Sequence, residues 1–165
     1  MTAPAPQASS ATLPLLLEFY SEKLAELIRH QSHATIVRQY DANTTYQYVI
    51  HREEVQLSWL STAITEAGGT VPDVPSSPTR GATSAREAFE IDQQAAGAFI
   101  DWWRPRVEAM TNARHRGMLR IILGEVREQQ RFFEQAQAGR TDLLGRHTGP
   151  GGEAIGEVLP ARWIE

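Results

Sequence analysis

Apolar residues recur at spacings of three and four in four separate stretches of this chain, the pattern of amphipathic helices. The first stretch runs from Leu13 to Gln39, with Thr12 as a candidate N-cap and Pro14 in the first turn, where a missing N–H does no harm. Leu13, Leu16, Leu17, Tyr20, Leu24, Leu27, Ile28 and Ala34 share one face of it. Tyr40 to Asn43 reads as a turn, and Asn43 or Thr44 as the cap of a second helix from Thr44 to Ala67, ended by Gly68 and Gly69. Its apolar face is Tyr46, Val49, Ile50, Leu57, Leu60, Ile64 and Ala67. A third helix begins after Ser84, carries Ala88, Phe89, Ala96, Phe99 and Trp103 inward, and is expected to end or kink at Pro105. A fourth runs from Thr111 to Ala138, with Met118, Ile121, Ile122, Phe132, Phe133 and Ala136 facing the core and Gly139 as its stop.

Between the second and third helices lies GTVPDVPSSPTRGATS, whose three prolines forbid helix. A link this long has room to run from one end of a bundle to the other. The expected fold is therefore all-α, a four-helix bundle of two antiparallel hairpins joined by a long crossover. Residues 1–12 read as a flexible tail, residues 13–138 as the bundle, and residues 139–165 as a glycine-rich tail. That tail closes on Val158, Leu159, Trp163 and Ile164, a short apolar segment on a flexible spacer, which suits docking onto a second copy of the chain or onto a protein partner.

Composition removes several classes of function. The net charge of −4 offers no electrostatic footprint for nucleic acid. Cysteine is absent, which excludes disulfides, thiolate metal sites and a cysteine nucleophile and suits a reducing, cytoplasmic compartment. No stretch approaches the roughly 18 apolar residues of a membrane span, and the N-terminus lacks the basic start of a signal peptide. The glycines of Gly149 to Gly156 lack the lysine and the strand–helix context of a phosphate loop.

The candidate chemistry lies in acids that fall on apolar faces. At about 100° per residue, Glu53 sits between Val49 and Leu57, Asp92 near the middle of the third helix's apolar face, Glu125 inside the fourth, and Glu128 at its edge. Glu18, Glu22 and Glu26 fall opposite the leucines of the first helix and are expected in solvent. Buried carboxylates need partners, yet no lysine or arginine reads as inward at the same level. His30 falls at the rim of the first helix, His33 further out, and Gln31 is the inward polar candidate there.

Glu53-x-x-Gln56 and Glu125-x-x-Glu128 occupy equivalent places in the two hairpins, and Asp92 precedes Glu125 by 33 residues as Tyr20 precedes Glu53. On these residues the chain resembles the ferritin-like superfamily, which includes rubrerythrins and bacterioferritins. The resemblance implies two irons held by a Glu from each of helices 1 and 3 and a Glu-x-x-His from each of helices 2 and 4. Asp92 would then stand for the helix 3 acid, and Glu53 and Glu125 for the acids of the two Glu-x-x-His motifs. The chain departs from that pattern at Gln56 and Glu128, which hold the histidine positions, and at Tyr20, which holds the helix 1 position unless Leu24 or Leu27 belongs there.

Two readings follow. In one, Glu53, Asp92, Glu125 and Glu128, supported by Tyr20 and Gln56, hold iron or manganese for reaction with oxygen or peroxide. In the other, the site has lost its metal and the bundle serves as a non-catalytic binding or structural subunit.

Overall fold

A computed structural model of the chain describes residues 12–73 and 81–144. Four helices make it up: α1 (Thr12–Ala34), α2 (Tyr40–Glu66), α3 (Ala85–Glu108) and α4 (Ala113–Gln137). Among the described residues there are no strands.

Local chemistry sets the helix ends. The side chains of Gln39, Ser84 and Asn112 accept hydrogen bonds from the backbone N–H of Ala42, Glu87 and His115 and so cap α2, α3 and α4. Both α2 and α4 close in the same way. Gly68 and Gly139 adopt φ of 81° and 85°, where a side chain would be strained, and their N–H groups and those of the next residues return to carbonyls of the last turn at 2.9–3.0 Å.

Two expected boundaries move. The turn between α1 and α2 lies at residues 35–39, and Tyr40 to Asn43 belong to α2. Asn43 is not a cap: its amide donates to the carbonyls of Ala34 and Val37 at 2.8 and 2.9 Å, closing the end of α1. Further on, α3 runs through Pro105 to Glu108. Proline removes a single internal hydrogen bond there, to Asp101, on an exposed face in the last turn.

Each helix packs on two neighbours, α1 on α2 and α3, and α4 on α3 and α2, with α1/α4 and α2/α3 on the diagonals. Contacts along the seams give the directions. Asn43 at the start of α2 meets the end of α1, Gln137 at the end of α4 meets Phe89 near the start of α3, and Arg106 near the end of α3 meets Glu18 near the start of α1. Adjacent helices are therefore antiparallel. The end of α2 and the start of α3 lie at opposite ends of the bundle, so their connection spans its length.

The interior is two apolar clusters with a polar layer between them. One cluster holds Leu16, Phe19, Leu57, Leu60, Phe99, Trp103 and Leu119; the other holds Val37, Tyr46, Val49, Ala88, Phe132 and Phe133. In every helix the buried charged, imidazole and amide side chains sit between members of the two: Lys23 to His33 in α1, Glu53 and Gln56 in α2, Asp92 in α3, and Glu125 to Gln129 in α4. The expected faces of α2 and α3 are the buried ones. On α4, Ile121 is 54% exposed although it was expected inward.

The face of α1 differs most. Its buried residues are Leu16, Phe19, Lys23, Glu26, Leu27, His30 and His33. The row Leu17, Tyr20 and Leu24 is half-buried, Ile28 is exposed, and Gln31 is exposed rather than inward.

Candidate functional site

The polar layer is built mainly by α1. Lys23, Glu26, His30 and His33 recur at spacings of three and four, so the helix presents all of them to the core one above the other. Lys23 is fully buried, and its Nζ donates to Glu26 Oε2 and to Glu53 Oε1, each at 2.8 Å. The Phe99 ring lies beneath it, 5.6 Å from Nζ to the ring centre. Burial works against the ammonium, but Glu26 and Glu53 more than offset it and hold the lysine pKa above its ordinary value.

Glu53 shares its other oxygen with His30, whose Nδ1 is 2.8 Å from Oε2. The far side of that ring faces Asp92, with Nε2 3.5 Å from Oδ1. Burial disfavours an imidazolium here, yet the carboxylates of Glu53 and Asp92 outweigh it and raise the His30 pKa. Asp92 gathers three more partners: Arg29 Nε at 2.8 Å, His33 Nδ1 at 2.7 Å and the Tyr46 hydroxyl, which donates at 2.5 Å. Burial raises the pKa of both acids, and the surrounding donors reverse that, leaving Glu53 and Asp92 at about 2.

Glu125 belongs to a second group on α2 and α4. Arg52 donates to its two oxygens at 2.7 and 3.3 Å, and the Gln56 amide at 2.5 Å.

Among the expected site residues, Glu53, Gln56, Asp92, Glu125 and Glu128 are all buried, while Glu54 is exposed. Glu53 and Asp92 are joined through His30; Glu125 is held by Arg52 and Gln56. Tyr20 is half-buried against the apolar cluster. Val158, Leu159, Trp163 and Ile164 lie outside the described residues. Glu26, expected in solvent, is 5% exposed; Glu18 and Glu22 are partly exposed and bind Arg106 and the Trp103 indole N–H at the α1–α3 seam.

The basic partners escaped the sequence reading. The leucine row of α1 dominates its apolar periodicity and points the helix axis wrongly, so Lys23, Arg29 and His33 fall on its polar side and His30 only at its rim. The available signal was Phe19 at the head of the row Lys23, Glu26, His30, His33, a second helical stripe beside the leucines.

No family model and no curated protein matches the chain. Solved structures do. The bacterioferritin of Desulfovibrio desulfuricans, solved with its diiron site in different catalytic states, superimposes with a TM-score of 0.74 at 10% identity, over 83% of this chain and 84% of that one. The fold is ferritin-like. A ferritin-like diiron-carboxylate protein of Bacillus anthracis gives a TM-score of 0.68 at 17% identity, over 79% of this chain and 98% of that one. A conserved hypothetical protein of Mycobacterium tuberculosis gives 0.64 at 14% identity, over 81% and 99%.

The ferritin-like fold implies a dimetal group, and the residues present do not fit one. Glu26, Glu53, Asp92 and Glu125 each accept from an internal cation within 2.8 Å. Among the described residues, no three of His, Asp and Glu converge in a way that could hold a metal ion. Lys23 and His30 are the α1 side chains that meet Glu53, in place of Tyr20, Leu24 or Leu27.

Proposed function

We propose that this chain is a ferritin-like bundle that works without metal, as a non-catalytic binding or structural subunit. The observation that supports the reading is the Lys23 ammonium, seated at 2.8 Å from both Glu26 and Glu53 in a position closed to solvent. With Arg29 and His30, it sets three basic side chains against Glu26, Glu53 and Asp92, so each of these acids meets a partner supplied by the chain. A metal entering this layer would have to displace cations that the chain itself supplies.

With the interior committed in this way, recognition falls to the surface. We assign it to a second copy or a protein partner, engaged through Val158, Leu159, Trp163 and Ile164 at the end of the chain. The described surface also leaves Trp102, Ile121 and Tyr40 exposed.

The other reading, an iron- or manganese-binding oxidoreductase, draws on the diiron sites of two similar structures. Metal analysis separates the two. Protein purified without chelator should carry only traces of iron and manganese, and its melting temperature should be the same in Fe(II), Mn(II) and EDTA. One or two equivalents of iron per chain, with a melting temperature that falls on chelation, would overturn the metal-free reading.

A further inference from the structure

Glu26 and Glu53 reach the same point from different helices. Glu26 comes from α1 and Glu53 from α2, and one oxygen of each lies 2.8 Å from Lys23 Nζ. Such convergence of two buried carboxylates is unfavourable unless a cation stands between them. An ammonium and a divalent metal ion make the same demand, a shell of negative oxygens. They differ in contact distance, since metal–oxygen bonds to carboxylates are about 2.0–2.2 Å long. Glutamate side chains have the rotatable bonds to close that gap.

The layer borders open space through Glu26 and Arg29. A groove of about 500 Å³ between α1 and α3 is lined by Glu22, Glu26, Arg29, Phe99 and Trp102 among others. Glu26 thus lines the groove, with Oε2 on Lys23 and Oε1 3.7 Å from Arg29 Nη2. Alanines 25, 95 and 98 leave the groove open along its walls.

We propose that the Lys23 side chain is a tethered replacement for a bound cation, and that its removal uncovers a single divalent-cation site formed by Glu26 and Glu53, reached through the α1–α3 groove. Water in the channel vacated by the four methylenes completes the shell of the ion. This inference rests on the metal-free reading above. It adds that one residue keeps the interior closed to metal. Oxygen ligands of this kind suit Mn(II), with Co(II) as the spectroscopic probe.

The test uses full-length Lys23→Ala beside the wild type and the double variant Lys23→Ala/Glu53→Gln. Each is titrated with MnCl2 and CoCl2 and followed by metal content, cobalt absorption and melting temperature. Lys23→Ala should bind one equivalent per chain. It should gain visible cobalt bands and rise in melting temperature by on the order of 5–10 °C at metal well above Kd. The wild type and the double variant should show none of these. If Lys23→Ala does not fold in EDTA, refolding from urea with Mn(II) or Co(II) should restore its helical circular dichroism. A folded Lys23→Ala that ignores both metals, or an unfolded one that neither metal rescues, overturns the inference and leaves the metal-free reading standing. Stoichiometric metal in the wild type overturns both.

Discussion

Lys23, Arg29 and His30 stand against Glu26, Glu53 and Asp92 in one buried layer, in which Glu53 and Asp92 are shifted down and His30 is shifted up. Glu53 and Asp92 have ordinary values of 4.5 and 3.8 and are held at about 2 in the fold. Because the folded value is the lower one, their ionised forms add stability above pH 4–5, and that contribution is lost as pH falls toward 2. His30 has the opposite sign. Its folded pKa lies above the ordinary 6.5, so its contribution is complete below pH 6.5 and is lost as pH rises through the folded value. Urea unfolding across pH should therefore show greatest stability between about pH 5 and 6.5, with a decline on either side. His30→Gln should flatten the alkaline limb and also weaken the acid limb, because His30 is the strongest of the groups that lower Glu53 and Asp92 against the effect of burial. An unchanged alkaline limb in that variant would contradict the assignment of His30 as the titrating group.

At the scale of elements, one amide closes the turn of the α1–α2 hairpin. Asn43 donates to Ala34 and Val37 and so satisfies two carbonyls, one at the end of α1 and one in the turn that follows. Replacing it with alanine leaves both without their partner, a loss of about 1–3 kcal/mol, with the helices otherwise unchanged. Chemical denaturation of Asn43→Ala measures this directly; a change below a few tenths of a kcal/mol would mean that water replaces the amide fully. The same residue shows why the boundary was misplaced in the sequence. Asparagine is a favoured N-cap, and its side chain closes a helix end in either role. Which end it closes depends on where α1 stops, and that is set by packing of Val37 under α2. Helix existence, type and the buried faces of α2 and α3 were legible because unbroken apolar rows run along them. The face of α1 was not, because it carries two rows and the more apolar one lies on its half-buried flank.

For the whole molecule, the arginine-rich tip formed by the end of α3 and the start of α4 is largely neutralised from within. Arg106 meets Glu18, Arg114 meets Glu66, Arg120 meets Glu108, and Arg116 donates to the Met110 carbonyl. The tip therefore has much of its positive charge met by the chain's own acids, and the C-terminal segment is the proposed route to assembly. Truncation after Gly145 should leave helicity and melting temperature close to those of the full chain, because the bundle's caps and core lie before that point. It should also lower the mass in solution or abolish partner capture. Identical mass and binding before and after truncation would remove the tail from the function.

The order of apolar rows, breakers and caps was enough, from sequence, for a four-helix bundle with a long crossover, since each of those signals acts within a few residues. It was enough also to place Glu53, Asp92 and Glu125 in the interior, because each lies inside an apolar row of its own helix. What balances those acids was a tertiary matter. Lys23 and Glu53 are 30 residues apart, Arg29 and Asp92 are 63 apart, and Arg52 and Glu125 are 73 apart. A lysine beside leucines reads as a solvated flank until the helix is rotated in place. That rotation is decided by the combined burial of Leu16, Phe19 and Leu27 and by the demand of buried carboxylates for a cation, neither of which any single helix carries in its own sequence.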